Sequence, residues 1–204
     1  MKKSDKTRQF IIDKAADLFN TQGFSGTSMK DIMDATGLSK GAIYGNFKRE
    51  SKDKQGVKEE IAIAAFEHAI GKVLTAVGRR TRIIENTIDK LKAVVYYYKE
   101  RILNPPVEGG CPIQNTAIEM DDNHLELRRH VVESMDRWQE RMIYTLQKGK
   151  KRGEVRADLD EKEFAINFIA TLEGGIMLTQ LYKDNNYFNP VSRQLLRMIE
   201  DCKA

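Results

Sequence analysis

The chain has 204 residues, 41% apolar and 31% charged, enough apolar material for the core of one large or two small domains and too much for a disordered chain. Two cysteines, Cys111 and Cys202, cannot make a disulfide framework and suit a reducing compartment. No run of about 18 apolar residues offers a membrane span, and the opening MKKSDKTRQF lacks an apolar signal core, so a cytoplasmic protein without a membrane partner is expected.

Apolar residues recur at steps of three and four along the whole chain, which predicts an all-α fold. Lys6 to Thr21 carries Phe10, Ile11, Ala15, Leu18 and Phe19 on one face, and Gly23 ends it. Residues Thr27 to Phe47, TSMKDIMDATGLSKGAIYGNF, then encode two short helices joined by a tight turn. Ser28 can cap the first, with Asp31 returning a hydrogen bond in a capping box. Ile32, Met33 and Ala35 would form its inner face, and Gly37 supplies the left-handed residue that stops it. Ser39 caps a second helix whose apolar anchors, Ile43 and Phe47, sit four apart. Gly41 and Gly45 each cost that helix about 1 kcal/mol relative to Ala. Internal packing gives no reason for two glycines on one helical face; close approach of the backbone to another molecule does. A Gly-containing turn between two such helices is the pattern of a helix-turn-helix, whose second helix enters the major groove of DNA.

The charge is unevenly spread. Residues 1–57 hold 11 Lys/Arg and 7 Asp/Glu, while the remainder hold 23 of each, so the whole net charge of +4 lies with the helix-turn-helix. A basic module neutralises phosphates, and a neutral remainder suits protein contacts or small ligands. This predicts a DNA-binding domain over 1–57 and a ligand-binding and dimerisation domain over 58–204.

Further helices are expected at 58–77 (Ile63, Phe66, Ile70, Val73, Val77), at 84–102 (Ile84, Ile88, Leu91, Val95, Tyr98, Ile102) and, after the break at Asn104-Pro105-Pro106, at 112–120. A long helix over 124–152 carries Leu127, Val131, Met135, Trp138, Met142 and Leu146, and Gly153 closes it. Helices at 161–183 (Phe164, Phe168, Leu172, Ile176) and 191–202 (Val191, Leu195, Met198, Cys202) complete the chain.

Over residues 7–47 the chain resembles the TetR family of bacterial transcriptional regulators, through NTQGF at the end of the first helix, GTS, and DIMDATGLSKGAIYGNF. The carboxy-terminal half, with GGCPIQNTAIEMDDNHLELRRHVVESMDRWQ and GEVRADLD, is similar to an AcrR-like branch in which a Gly-Cys-Pro element opens a short helix. The resemblance implies a homodimer with three amino-terminal DNA-binding helices, an effector pocket between the remaining helices, and a dimer interface built from the last two long helices. Gly174 and Gly175 serve either that interface or an internal packing contact. KRESKDKQGV, between Phe47 and Lys58, looks like an insertion of roughly eight residues relative to the family. It adds phosphate contacts or forms a solvated loop, and it leaves the role of Lys58 at phosphate open.

Mapped by this resemblance, Lys40, Gly41 and Ala42 face base edges, and Thr27, Ser28, Tyr44 and Lys48 hold phosphates. Chemistry adds that a lysine can donate to guanine O6 and N7, that Ala42 can meet a thymine methyl, and that Asn46 either reads adenine or caps its helix. The expected partner is a double-stranded, near-palindromic operator, released when an unidentified small-molecule effector favours another conformation. For the effector pocket Tyr97, Trp138, Met142 and Phe168 are candidates, together with Tyr96, Tyr98 and Met120; Gln114 and Asn115 are candidate polar handles. Aromatic and Met positions at helical spacing also serve as plain core.

Cys111, between two glycines and Pro112, is either a reactive thiol near a helix start or a small residue in a tight corner. His68, His124 and His130 lack metal-ligand spacing, no cofactor is expected, and no phosphate loop or nucleophile elbow points to an enzyme. The rival readings are a thiol-based sensor of electrophiles or oxidants and a helical ligand-binding dimer with weakened operator binding.

Overall fold

The computed structural model describes residues 3–47, 54–119 and 124–204. Among these are nine α-helices: α1 (Lys3–Gly26), α2 (Met29–Thr36), α3 (Lys40–Asn46), α4 (Lys54–Thr81), α5 (Thr87–Arg101), α6 (Pro112–Glu119), α7 (Leu125–Lys151), α8 (Glu161–Tyr182) and α9 (Phe188–Asp201). A 3-10 turn, Asn185–Tyr187, precedes α9, and the one β feature among the described residues is an isolated bridge between Val155 and Lys203. α4 and α8 are apolar and long enough to cross a membrane by length and composition alone; half of the most apolar stretch of α8 is buried in the fold.

By packing, the chain forms two compact units, Met1–Lys72 with Pro106–Val132, and Val73–Pro105 with Glu133–Ala204. In the first, Ile11, Ala15, Ile32, Ile43, Phe47, Ile61 and Ala65 from α1, α2, α3 and α4 make one core, joined by Val107 from the segment after α5. The buried face of α4 is Ile61, Ala62, Ala65, Phe66, Ala69 and Ile70, rotated from the expected stripe so that Ile63 is only half-buried. Small alanines are as much part of this face as the large residues. Phe10, expected on the inner face of α1, is 42% exposed.

In the second unit, Phe164, Phe168, Leu172 and Ile176 of α8 are buried, as are Phe188, Leu195 and Ile199 of α9. Gly175 answers half of the glycine question. A Cβ there would lie 2.6 Å from Val191 Cγ1 and 3.0 Å from the Phe188 ring, so this glycine serves the α8–α9 contact. A Cβ on Gly174 would meet nothing within 4 Å. The carboxy-terminal end is pinned: the Arg156 N–H donates to the Cys202 carbonyl at 3.0 Å. Cys202 itself is 1% exposed, and burial pushes its thiol up to about 11.

The local signals of the helix-turn-helix are realised in atomic detail. Ser28 Oγ accepts from the Asp31 N–H at 3.2 Å, and Asp31 Oδ2 accepts from the Ser28 N–H at 2.7 Å and from its hydroxyl at 2.6 Å. Gly37, φ +66°, donates its N–H to the Met33 carbonyl at 2.8 Å. The inner face of α2 differs from expectation: Ile32 and Thr36 are buried, whereas Ala35 is exposed. Thr36 can turn inward because its hydroxyl donates to the Ile32 carbonyl at 2.7 Å, leaving its methyl to the core.

Those Ser28 hydrogen bonds hold the Asp31 carboxyl below its ordinary value of 3.8. A carboxyl lowered on folding contributes stability above its unfolded value and loses it as pH falls through the lowered one. Ser28→Ala is expected to cost about 1 kcal/mol in urea unfolding at neutral pH, with the gap to the parent narrowing as Asp31 protonates.

Candidate nucleic-acid interface

Helix α3 is seven residues long with two glycines, and its neighbours hold it in place. Ser39 Oγ caps its start, accepting from the Ala42 N–H at 3.3 Å. Ile43 and Phe47, 0% and 1% exposed, sink its underside into the core, and the Arg8 guanidinium from α1 covers the Phe47 ring at 4.7 Å. The opposite face is open. Lys40, Gly41 and Gly45 are exposed, and a Cβ built on either glycine meets nothing within 4 Å. The backbone of α3 is therefore bared toward solvent along one side.

Around that face the expected residues fall differently. Lys40 Nζ lies 5.6 Å from the centroid of the Tyr44 ring, so an ammonium and a phenol share the same edge of α3. Ala42 and Tyr44 are half-buried, and Ser28 is exposed at the start of α2. Asn46 Nδ2 donates to the Ala42 carbonyl at 2.8 Å, which ties its amide to its own helix. Thr27 departs from expectation: it is fully buried, and its hydroxyl and N–H both donate to the Gly23 carbonyl, at 2.7 and 3.2 Å. A hydroxyl used in that way is turned from solvent. Lys48, and Met120 from the pocket candidates, lie outside the described residues.

Lys58, whose role beside the insertion was open, is half-buried with Nζ 4.3 Å from the centroid of the Phe24 ring. Burial lowers its pKa, and the nearby carboxylates of Glu119 and Asp31 oppose that shift. The Phe24 ring also meets the His124 ring edge-on at 4.5 Å. The amino-terminal end of α4, the end of α1 and the start of α7 thus converge on one aromatic ring.

The pocket candidates and Cys111 do not gather into one site within either unit. Cys111, Gln114 and Asn115 belong to the first, and Tyr97, Trp138, Met142 and Phe168 to the second. Asn115 is a structural bracket: its Nδ2 donates to the Gly109 carbonyl at 2.8 Å and the Asn20 carbonyl at 2.9 Å. Asn20 in turn donates to the carbonyls of Glu108 and Gly110. Gly109, φ +98°, is required at this bracket, since a Cβ would lie 2.6 Å from the Asn20 oxygen. Phe168 is fully buried, stacked on Phe164 at 5.9 Å, and Met142 is buried. Trp138 and Gln114 are half-buried. Tyr97 is the exception: its hydroxyl is buried with no hydrogen-bond partner among the described residues, and burial raises its pKa. A cavity of about 20 Å³ in the first unit, lined by Phe19, Asn20, Phe24, Phe66, Glu119 and Leu127 among others, has room for about one water and touches none of these residues.

Sequence reasoning missed Asn20, Phe24, Gly109 and Glu119, whose partners lie 88 to 95 residues away along the chain. No local pattern marks such a pairing. Among the described residues no group of three His, Cys, Asp or Glu side chains is placed to hold a metal.

Comparison with known proteins agrees with this architecture. Residues 11–54 match the family described as "Bacterial regulatory proteins, tetR family", and residues 87–195, more than half of the chain, match "Tetracyclin repressor-like, C-terminal domain". A TetR transcriptional regulator from Chloroflexus aurantiacus J-10-FL is 37% identical, with a TM-score of 0.89 over 100% of this chain and 98% of that one. A TetR-family regulator from Cytophaga hutchinsonii is 34% identical, with a TM-score of 0.87 over the same shares. The transcriptional repressor DhaR of Mycobacterium sp. strain GP1 is 23% identical over 87% of this chain and 84% of its own. With a helix-turn-helix whose second helix bares its backbone, and with this extent of likeness, the chain belongs to the TetR family of DNA-binding transcriptional regulators.

Proposed function

We propose that this regulator is a ligand-responsive repressor that binds a near-palindromic operator as a homodimer and is released by a small-molecule effector. The observation that carries the reading is the open, glycine-thinned face of α3 above a buried underside. A helix that gives up propensity on its exposed side, where no packing demands it, is suited to lie close against a duplex. Lys40, Gly41 and Ala42 would read bases there, with Tyr44, Ser28 and Lys48 at phosphates. Residues 1–57 then form the DNA-binding domain by function, and 58–204 the sensing and dimerising one. Repression is the natural consequence, because a dimer seated on a promoter blocks polymerase, and the relative DhaR carries the name of a repressor.

The dimer is supported by α8. Ile166, Ala170, Gly174, Met177 and Leu181 recur along it at steps of three and four on the side away from the core. Ile166, Met177 and Leu181 are 47%, 45% and 69% exposed. An apolar stripe of this kind is costly to leave in water, and Gly174 within it lets a second helix approach. The outward residues of α9 are polar, among them Arg193, Gln194 and Arg197, so α8 would supply the apolar part of the interface. On the sensing side, the orphaned Tyr97 hydroxyl is the best-supported polar handle for an effector.

Cys111 favours a second reading, in which the released signal is a thiol modification. It is half-buried, whereas the other cysteine is buried with a raised pKa, so it is the accessible thiol of the pair.

Selection of bound duplexes from a random-sequence pool tests the repressor reading directly. Lys40→Ala should cost about 1–3 kcal/mol and relax preference at one base position. Lys48→Ala should weaken all sequences alike and lower the slope of log K against log salt; a slope equal to the parent's rules out a phosphate contact. Leu181→Arg should convert a dimer to a monomer in sedimentation equilibrium and abolish operator binding, and a dimer that survives it places the interface elsewhere. Alkylation confined to Cys111 should release the operator if the thiol is the sensor, and unchanged affinity after complete modification ends that reading.

A further inference from the structure

The end of α1 is governed by a single peptide group. Gly23 leaves helical geometry, φ +76° and ψ 173°, and its carbonyl accepts both the N–H and the hydroxyl of Thr27, the residue before the Ser28 cap of α2. The other half of that peptide, the Phe24 N–H, donates to Glu119 Oε2 at 2.5 Å. Glu119 ends α6, 95 residues further along the chain. A peptide group is planar and its N–H and C=O turn as one body. Rotating the Gly23–Phe24 plane therefore disturbs the bond to Glu119 and the bonds to Thr27 together. A Cβ at Gly23 would collide with the Glu119 carboxylate, so the approach also requires glycine at this position.

We propose that Glu119 is a positioning residue for DNA binding: by fixing the Gly23–Phe24 peptide plane, it sets the direction in which α2, and α3 behind it, leave α1. Its carboxylate touches neither α2 nor α3 among the hydrogen bonds of this region; it acts through Gly23, Thr27 and the Ser28 cap. A bond between a carboxylate and a buried amide is of the strong, charge-assisted kind, which lets one contact hold an element in place. The proposal rests on α3 being the helix that reads DNA.

The test compares Glu119→Ala and Glu119→Gln with the parent, in affinity for the duplex the parent selects and for a random duplex, across several salt concentrations. Amide hydrogen exchange over Phe24 to Ile32 is followed in the same proteins without DNA. Glu119→Ala should bind the selected duplex about tenfold or more weakly, the equivalent of one lost charge-assisted bond. Its salt slope should stay that of the parent, because no phosphate contact is removed, and exchange at Phe24 and Thr27 should quicken. Glu119→Gln keeps an acceptor oxygen and should recover most of the affinity. Parental affinity and parental exchange in Glu119→Ala overturn the proposal, as does an affinity loss in both variants with exchange unchanged. Should Glu119→Ala fail to fold, Thr27→Val decides the matter: it removes the hydroxyl bond at the other end of the same peptide and leaves the N–H bond, so it should weaken selected binding and quicken exchange at Phe24, and parental values for both overturn the proposal. If the parent selects no duplex, the repressor reading falls and the exchange arm alone decides the positioning role.

Discussion

The buried underside of α3 is the contact on which the rest of this molecule depends. Seven residues with two glycines do not hold a helix in water: isolated helices below about 12–15 residues are marginal, and the glycines remove about another 2 kcal/mol. Full burial of Ile43 and Phe47 contributes roughly 1.5–3 kcal/mol for each side chain, and their 0% and 1% exposure places them at the upper end of burial. Packing therefore supplies what propensity withholds. The consequence is functional, because the exposed side of α3 is free to be thin.

The same economy of local stability explains why α1, α2 and α4 are arranged as they are. Ile11 and Ala15 from α1, Ile32 from α2 and Ile61 and Ala65 from α4 close around the two anchors of α3. Ser28, Asp31, Gly37 and Ser39 fix where α2 and α3 begin or end, so the anchors meet this core in one register. Arg8 reaches both the Phe47 ring and, at 3.3 Å, the Glu60 carboxylate, linking α1 to α3 and α4 through one side chain. A rigid support of this kind is what a short helix needs if it is to read bases as proposed, since an error of about 1 Å in its placement would move its donors out of reach.

The segment 106–132 belongs by packing with the amino-terminal helices, and this changes how its residues are understood. Asn115, attractive as an effector handle because it is polar and near a helix start, instead brackets the carbonyls of Asn20 and Gly109. Glu119 reaches the Phe24 amide. Polar residues in a mainly helical interior are costly unless each finds a partner, and here the partners are backbone groups at the point where α1 gives way to the helix-turn-helix. The hydroxyl of Tyr97 in the other unit is the contrasting case, a buried polar group with no hydrogen-bond partner among the described residues.

Much of this was legible in the order of residues alone. The capping box at Ser28, the stop at Gly37, the Ser39 cap and the anchors Ile43 and Phe47 each rest on partners three or four residues apart, and short-range hydrogen bonds and helical periodicity suffice to read them. The limits of two later helices followed for the same reason, 124–152 against Leu125–Lys151 and 161–183 against Glu161–Tyr182, whereas the last helix begins at Phe188 and not at 191. What depended on neighbours in space was not legible. The inward turn of Thr27 and Thr36, the exposure of Ala35 and Phe10, and the division of labour between Gly174 and Gly175 depend on which surface each helix meets. Sequence alone thus determined the helices, the caps between α2 and α3, and the family they build, because those rest on contacts three to five residues apart. Only the tertiary structure decided which polar side chains are committed to the end of α1, because a carboxylate and the amide it holds can lie 95 residues apart and carry no shared pattern.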